Sequence, residues 1–354
     1  MTELLRRLSR LMLPLAALYC GPAASGEMLH HRSPHPLAAL LLADGRVIAK
    51  LETPGGVGFF ALSLHGDSTK LSRLPGYLPT PLEEQADMLP DGIVTKGKRD
   101  IAAAWLTGPT KRYDHGVLGD AIEASGLRVR LRDGSELSYL LSDDSVFEDR
   151  QVRLADLDGD GGDELVVVRS YPTAGAALAV FRPQGGEIVK VAETKPIGQP
   201  HRWLNPAAIA DFDGDGYLEV AAVVTPHIGG TLIMLELRLN RLRLQWLHKK
   251  WSARGFSNHA IGSRIQDMAT AVDWGRDRGR GPILHLPDAG RRALRQVFFA
   301  DGTYRVRDLP SHQRPIITAI HKVDLDGDGW KEVVYGLDGG ELVILRRSRA
   351  PKGR

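Results

Sequence analysis

The chain has 354 residues, of which 43% are hydrophobic, 25% charged and 6% aromatic; this composition excludes global disorder and supplies enough apolar side chains for a substantial core. Lys and Arg (46) nearly balance Asp and Glu (43), leaving a net charge of +3 without the concentrated basic excess expected of a nucleic-acid-binding protein. Abundant glycine (39) and proline (21) favour many short strands joined by turns over long helices.

Residues 1–25 have the pattern of a secretory signal peptide. Three arginines lie within the first ten residues, an apolar run follows over residues 11–19, and small side chains allow cleavage after Ser25. The run is too short to span a bilayer, so we expect a periplasmic or secreted protein. An uncleaved anchor and a lipid on Cys20 are the alternatives. Cys20 is the only cysteine, so the mature chain is expected to have neither disulfides nor thiolate metal sites.

A nine-residue acidic pattern recurs after residue 150. Its intact copies, Asp-x-Asp-Gly-Asp-Gly-x-x-Glu, occupy residues 156–164, 211–219 and 324–332, and a degenerate copy covers 273–281. Intervals of roughly 50 to 60 residues are typical of propeller blades or solenoid repeats. β-rich runs lie on both sides of each intact copy, and a turn and another strand follow. Each repeat is therefore predicted to be a small antiparallel sheet whose first two strands are joined by the acidic loop.

Two earlier segments, 36–95 and 100–122, fit the same strand-turn-strand template without an acidic loop. The last repeat ends after three strands near Arg347, and a closed ring needs a fourth. A strand from about 36–50 is the expected donor, because pairing it there removes an exposed sheet edge. We predict an all-β fold, a β-propeller of six blades with five or seven as alternatives, closed by this N-terminal strand. It forms one domain over residues 26–347, followed by a solvated basic tail, 348–354.

The acidic motifs resemble the FG-GAP and VCBS repeats of integrin α-chain propellers and of many exported bacterial proteins. The resemblance is specific over residues 150–347 and weak before residue 150. More narrowly, the chain resembles exported proteobacterial VCBS-repeat proteins of unknown function. The resemblance implies a β-propeller with calcium in the acidic loop of each motif-bearing blade. The Phe-Gly and Gly-Ala-Pro signatures of the integrin repeats are missing, so integrin ligand binding is not expected here.

The acidic loops also suit calcium on chemical grounds. Calcium takes six to eight oxygen ligands, and alternate residues of a tight loop can direct such ligands inward. Carboxylates gathered without a cation would repel one another, so we expect about three structural Ca²⁺ ions and none in the degenerate loop. The predicted ligands are Asp156, Asp158, Asp160, the Gly162 carbonyl and Glu164; Asp211, Asp213, Asp215, the Tyr217 carbonyl and Glu219; and Asp324, Asp326, Asp328, the Trp330 carbonyl and Glu332.

Function is expected on the face opposite the acidic loops. If those loops join strands one and two, the loops between strands two and three and those between repeats open on the other side. The main candidates there for ligand binding or acid–base chemistry are His115, His227, His259 and Arg264. His201, His312, Arg150, Arg202 and Arg314 belong to the same loops. The alternative is that each histidine caps its own turn and each arginine pairs with a neighbouring carboxylate.

The chain has no nucleophile elbow, no zinc-binding His-Glu-x-x-His helix and no phosphate-binding glycine loop. We predict a calcium-stabilised, exported propeller that acts as a monomeric binding module for a protein or carbohydrate ligand. The competing prediction is a periplasmic hydrolase or lyase that uses His115, His227 and His259, with Arg264 holding substrate charge. A third is a structural or adhesive protein of the cell envelope. No nucleic-acid partner and no membrane span after the signal are expected.

Overall fold

The computed structural model describes residues 26–239, 245–274 and 281–348. The predicted signal peptide, most of the degenerate acidic copy and nearly all of the basic tail lie outside the described residues. Within these residues the secondary structure is β-strand, apart from one 3-10 turn at Gly116–Leu118. The prediction of an all-β fold is therefore confirmed.

The first strands include one complete antiparallel sheet. The chain begins with β1 (Gly26–Arg32), and the sheet that follows consists of β2 (Leu37–Ala43), β3 (Arg46–Thr53), β4 (Gly56–His65) and β5 (Ser68–Arg73).

Two four-stranded units share a nine-stranded sheet. The first unit consists of β6 (Thr95–Lys96), β7 (Ile101–Thr110), β8 (Glu123–Leu131) and β9 (Glu136–Leu140). After the short β10 (Val146–Phe147), the second consists of β11 (Arg153–Ala155), β12 (Glu164–Tyr171), β13 (Gly175–Gln184) and β14 (Glu187–Glu193). β10 joins the units because Phe147 pairs with Ala124 of β8 on one side and with Arg169 of β12 on the other.

The remaining strands form three further four-stranded sheets. One consists of β15 (Leu204–Ala210), β16 (Glu219–Val224), β17 (Thr231–Leu239) and β18 (Gln245–Arg254). The next consists of β19 (Thr270–Val272), β20 (Ile283–Pro287), β21 (Leu294–Ala300) and β22 (Thr303–Asp308). The last contains β23 (His321–Val323), β24 (Glu332–Leu337) and β25 (Glu341–Arg347), with β1 as its fourth strand.

An N-terminal strand completes the last sheet, but it is not the strand predicted to do so. β1 pairs with β25 in unbroken antiparallel register from Gly26 opposite Arg347 to Arg32 opposite Glu341. Residues 36–50 form the hairpin of β2 and β3 in a sheet of their own. The predicted donor segment was therefore wrong, because this hairpin finds its partners locally and leaves the preceding strand to pair with β25.

The core lies between neighbouring sheets, in five apolar clusters. β12 is an example of a strand that is buried on both faces. Leu165 and Val167 face the unit before it, whereas Val166 and Val168 face the unit after it and pack near Trp203. Successive strand side chains point to opposite faces, so a strand with sheets on both sides must be apolar at every position. The strands group into six four-stranded units; the count of blades in a ring stays a prediction.

Candidate functional site

The acidic loops connect the strands that the sequence predicted they would connect. They lie between β11 and β12, between β15 and β16, and between β23 and β24. The two glycines of the first loop have φ of +76° at Gly159 and +94° at Gly161, a conformation that costs glycine little and other residues more. The other two intact loops repeat these angles within a few degrees, so the three backbones turn in the same way.

The first loop gathers carboxylate oxygens, and two guanidinium groups contact them: Arg182 lies 3.1 Å from Oδ2 of Asp158 and Arg99 lies 3.4 Å from Oδ2 of Asp156. Asp156, Asp158 and Glu164 each offer an oxygen within 4.8 Å of the others. Oδ2 of Asp156 accepts from the Gly161 N–H at 3.1 Å, and Oε2 of Glu164 accepts from the Leu157 N–H at 2.7 Å. Oδ1 of Asp156 is buried and meets no hydrogen-bond donor among the described residues. A buried carboxylate oxygen needs a partner, so these residues fit a cation, and oxygen-only donors suit calcium.

The third loop has the same arrangement. Asp324, Asp326 and Glu332 offer oxygens within 4.8 Å of one another, and Oε2 of Glu332 accepts from the Leu325 N–H at 2.7 Å. Burial raises the pKa of Glu332 to about 7, and the nearby carboxylate of Asp326 adds to the rise. Because an ordinary glutamate has a far lower pKa, the loop holds its negative charge at a cost that a bound cation would remove.

Glu164 of the first loop has the same electrostatic environment. Burial raises its pKa to about 8, with a further contribution from the carboxylates of Asp158 and Asp160. Asp160 itself accepts from the Gly162 N–H at 2.8 Å and lies outside the group of three converging acids. The ligand roles predicted for it, for Asp328, and for the Gly162, Tyr217 and Trp330 carbonyls stay predictions.

The second acidic loop has the same backbone framework as the other two loops, but a different group lies among its carboxylates. Oε2 of Glu219 accepts from the Phe212 N–H at 2.8 Å, as in the other loops. Here, however, the ammonium of Lys250 lies among the carboxylates, 2.5 Å from Oδ2 of Asp213. Burial by itself would lower the pKa of Lys250, but its hydrogen bonds to four carboxylates raise it instead. Asp211, Asp213 and Glu219 also offer oxygens within 4.8 Å of one another, but the ammonium already lies among these carboxylates, so the loop does not fit a metal ion while Lys250 stays in place.

At the other end of the strands, the structure brings two of the predicted histidines together. His227 lies in the β16–β17 loop and His259 in the β18–β19 loop, and Nε2 of His227 is 2.8 Å from Nδ1 of His259. Nε2 of His259 lies 2.7 Å from the Ser263 carbonyl. A carbonyl oxygen can only accept a hydrogen bond, so Nε2 of His259 donates to it. Nδ1 of His259 then accepts a hydrogen bond from the Nε2–H group of His227.

His115, in the β7–β8 loop, is oriented by a buried acid. Its Nδ1 lies 2.6 Å from Oε1 of Glu148, a residue with no exposed surface. The other oxygen of Glu148 accepts a short hydrogen bond from the Ser170 hydroxyl. Because the carboxylate occupies Nδ1, Nε2 is the ring nitrogen of His115 that can meet a ligand. The ring of His201 lies 5.3 Å from that of His115, between centroids.

Trp203 joins the two histidine pairs. Its Nε1 donates to the Glu148 carbonyl at 3.0 Å, and its ring lies parallel to that of His227 at 6.2 Å and edge-on to that of His259 at 4.8 Å. We call the four histidines together with Trp203 and Glu148 the histidine cluster; its histidines are His115, His201, His227 and His259. The structure thus brings together four of the histidines that the sequence analysis named on this face.

Burial governs the chemistry of the inner pair. It lowers the pKa values of both His227 and His259 to about 4, with Arg291 and, for His227, the neighbouring His259 contributing. Both rings are therefore neutral at physiological pH and are weak bases. This arrangement suits hydrogen bonding and packing better than proton abstraction.

Three of the four predicted arginines of this face pair with carboxylates, whereas Arg202 lies 3.4 Å from the His201 carbonyl. Arg264 Nη2 lies 3.0 Å from Oδ2 of Asp120, and Arg150 Nε lies 2.9 Å from Oδ2 of Asp91. Arg314 pairs with Asp338 at 3.2 Å. Arg264 thus lies beside the histidine cluster but pairs with Asp120. This corresponds to the alternative that each arginine pairs with a neighbouring carboxylate.

Two buried acids of this face were missed as site residues in the sequence. Glu123, at the start of β8, has both carboxylate oxygens buried without a hydrogen-bond donor among the described residues. Burial and the nearby Glu148 raise its pKa to about 10, so it carries a proton at neutral pH. Burial also raises the pKa of Glu148, although His115 and Ser170 oppose the rise. The only sequence signal was an acidic residue flanked by strand residues, which is far less specific than the nine-residue motif.

A separate cavity of about 650 Å³ opens beside the last sheet. It is lined by His30 of β1 and by His312, whose rings meet edge-on at 5.8 Å. His312 Nε2 lies 3.0 Å from the Tyr335 hydroxyl and His30 Nδ1 lies 2.6 Å from Oε1 of Glu341. His312 therefore contacts residues of the last sheet and does not join the other predicted histidines.

Comparison with known proteins supports the repeat assignment. The model of the FG-GAP-like repeat matches residues 156–222, a segment that holds the first and second acidic loops. No curated protein sequence matches the chain. Among solved structures, the WD40 domain of Toxoplasma gondii coronin is similar at 12% identity and a TM-score of 0.40, over 94% of this chain and 90% of that one.

The FG-GAP-like repeat that the sequence predicted is confirmed over residues 156–222, and the described residues form packed four-stranded antiparallel sheets of the kind that make up propeller blades. The TM-score of the coronin comparison is too low to support a conclusion about this fold. In the described part of the chain, no helix has the length and apolar character needed to cross a bilayer.

Proposed function

We propose that the protein is an exported β-propeller that binds a protein partner through the histidine cluster and is stabilised by calcium in its first and third acidic loops. The observation that carries the proposal is a pair of exposed isoleucines beside the cluster. Ile228 directly follows His227 and is 62% exposed, and Ile261 follows His259 by two residues and is 72% exposed. Large apolar side chains at the edge of a buried polar cluster are typical of a protein-binding surface.

The exposed side chains of this surface favour a protein ligand over a carbohydrate ligand. Carbohydrate sites usually need an exposed aromatic ring, whereas Trp203, the aromatic centre of the cluster, is only 2% exposed. The exposed apolar groups are aliphatic, and aliphatic side chains bind best when a partner covers them from water. His227 can add a directed hydrogen-bonding group beside Ile228.

Calcium has a stabilising role in this proposal. The converging carboxylates of Asp156, Asp158 and Glu164, with the buried Oδ1 of Asp156, would hold one ion, and Asp324, Asp326 and Glu332 would hold another. An ion bound only to the folded state adds free energy of unfolding. The loops lie at the opposite end of the strands from the histidine cluster, so the metal would act by fixing the sheets.

The predicted signal peptide is the basis for proposing export. Cleavage after Ser25 would retain β1, whose residues 26–32 pair with β25, so the last sheet would keep its fourth strand.

A crosslinking experiment tests the binding surface. A photoreactive residue replacing Ile228 or Ile261 is expected to capture one defined protein from the exported fraction of the native host. The matched control replaces Leu42, which is 49% exposed and precedes the β2–β3 turn at the acidic-loop end. It should capture nothing in common with the other two.

Serine substitutions then test whether the two isoleucines contribute to binding or only lie near the captured protein. Ile228→Ser with Ile261→Ser should weaken binding of the captured protein at least tenfold, while Leu42→Ser leaves it unchanged. Equal binding by all variants would refute the surface. Binding of oligosaccharides on a glycan array, lost in the isoleucine variant, would show that the ligand class is wrong.

A further inference from the structure

A lysine ammonium lies at the centre of the second acidic loop. Nζ of Lys250 is 2.5 Å from Oδ2 of Asp213, 2.9 Å from Oδ2 of Asp215 and 3.0 Å from Oε1 of Glu219. These three acids are ligands that the motif predicts for calcium. A fourth carboxylate, that of Glu236 in β17, lies 2.6 Å away through Oε2. The ammonium thus occupies the point where the oxygens converge.

Lys250 reaches this point because of a β-bulge. Trp251 of β18 is opposite Met234 of β17, whereas Lys249 is opposite Leu235. Lys250 is therefore the extra residue between two paired positions. A bulge redirects the side chain of the extra residue away from the ordinary alternation, and here it directs the side chain toward the acidic loop.

The unit that carries the first acidic loop has the same bulge with a different side chain. Ala192 is opposite Val180 and Lys190 is opposite Phe181, so Val191 is the extra residue. Val191 packs against the apolar core. Phe181 and Leu235 are equivalent because each faces the residue that follows the motif glutamate, which makes Val191 the counterpart of Lys250.

A second exchange accompanies the first. Arg182 follows Phe181 in β13 and pairs with Oδ2 of Asp158 at 3.1 Å, whereas Glu236 occupies the equivalent place in β17. Glu219 and Glu236 have no exposed surface. The second unit therefore has an ammonium where the first has an apolar side chain, and a buried acid where the first has a guanidinium.

An ammonium and a calcium ion cannot share this space. Calcium bonds oxygen at about 2.3 to 2.6 Å, and the three motif acids that would surround it already lie 2.5 to 3.0 Å from Nζ. Expelling Lys250 would also take its ammonium away from the buried Glu236, whose other cationic contact, Arg238, is more exposed than Lys250. Removing one member of a buried ion pair is strongly unfavourable.

We propose that Lys250 takes the place of the metal ion in the second acidic loop, so that the chain binds two calcium ions and not the three that its motifs predict. The count of two rests on the proposed calcium binding of the first and third loops. The role of Lys250 itself does not, because its contacts lie within the second loop and its neighbouring strands.

The first test removes one motif acid at a time and counts bound calcium by elemental analysis and calorimetry. The wild-type protein should bind two ions. Asp156→Asn and Asp324→Asn should each lower the count to one, whereas Asp211→Asn should leave it at two. A wild-type count of three, with loss of one ion in Asp211→Asn, would overturn the proposal.

The second test gives the second loop the side chain of the first. Lys250→Val, which copies Val191, should bind one more calcium ion than the wild type. Without calcium it should melt well below the wild type, because its acids lose their cation, and calcium should restore most of that loss. Lys249→Val, at the exposed neighbouring position, is the control and should change neither property.

The outcomes separate this proposal from the proposed function. If the wild type binds no calcium and Lys250→Val binds one ion, calcium in the first and third loops is refuted while the role of Lys250 stands. If Lys250→Val folds and binds no additional ion, Lys250 is not what keeps the metal out, and the proposal fails. If that variant does not fold, the Asp211→Asn comparison decides alone.

Discussion

The acidic loops at one end of the strands and the histidine cluster at the other both gather ionisable side chains, but over very different separations in sequence. In the first loop, a bond such as that from the Leu157 N–H to Glu164 spans seven residues. In the cluster, His115 meets Glu148 across 33 residues and His227 meets His259 across 32. Because the acidic loop closes within one turn, its acidic residues form a recognisable motif in the sequence. The histidine cluster forms only when separate sheets pack together, so no local motif marks it.

The largest expected effect is the removal of calcium, which acts on the acidic end alone. At a calcium concentration a thousandfold above Kd, each site contributes about 4 kcal/mol to the free energy of unfolding. Chelation of two sites should therefore lower Tm by roughly 10 to 15 °C, at about 1.5 °C per kcal/mol for a domain of about 320 residues. Differential scanning calorimetry of residues 26–354 with calcium and then with chelator measures this. An unchanged Tm would remove the structural role of the metal.

Glu148→Ala tests the histidine end in the same way. The substitution leaves Ser170 and His115 without their buried acceptor, and each unsatisfied group costs about 1 to 3 kcal/mol. We expect a loss of about 2 to 4 kcal/mol in urea unfolding, with no change in bound calcium. Glu136→Ala, at a partly exposed acid that pairs with Arg130, is the control and should lose less than about 1 kcal/mol. A change in calcium count on Glu148→Ala would show that the two ends are coupled.

Acid should weaken the histidine end. The folded-state pKa values of His227 and His259 are lowered to about 4 by burial, below the ordinary value of about 6.5. The unfolded chain therefore takes up protons first, and stability falls as the pH drops from about 6.5 toward 4. Allowing for partial solvent screening, we expect a loss of about 1 kcal/mol per ring between pH 7 and pH 5.

Variants of the pair identify the source of this pH dependence. His259→Asn combined with His227→Gln should flatten the stability profile between pH 7 and pH 5, measured by urea unfolding at saturating calcium. His65→Gln, at an exposed histidine at the end of β4, should leave the profile unchanged. A profile as steep as that of the wild type in the double variant would place the titrating groups elsewhere.

The smallest effect is expected at Arg264. Its side chain is 54% exposed and its ion pair with Asp120 is open to solvent, so Arg264→Ala should change the free energy of unfolding by less than about 1 kcal/mol. Its effect on binding of the crosslinked partner is the informative readout. A tenfold loss of affinity with unchanged stability would extend the binding surface to this arginine.

Much of the fold follows from the sequence because the acidic motif marks where each repeat turns. The motif fixes the first hairpin of three units, and the continuous apolar run after Glu164 already indicates a strand buried on both faces. The choice of donor strand was wrong because β1 and the β2–β3 hairpin both have strand-like patterns. Only the register with β25 distinguishes them.

The candidate site was predictable to a smaller extent. Strand order alone placed His227 and His259 on one face, but it could not show that they bond to each other or that Glu148 orients His115. Lys250 was missed for a different reason: nothing in a run of two lysines shows which one is the extra residue of a bulge. That depends on the pairing of β17 with β18, which the sequence does not specify.

The pairing of β1 with β25 has a consequence for how the protein is made. The first strand to emerge during translation pairs with the last, across 311 residues between His30 and Glu341. Every other sheet can form from neighbouring strands as they leave the ribosome, but this one must wait for the whole chain. Long-range pairing of this kind folds slowly. The newly made chain therefore cannot complete this sheet until its synthesis is nearly finished, and the free edge of β25 stays unpaired until β1 reaches it.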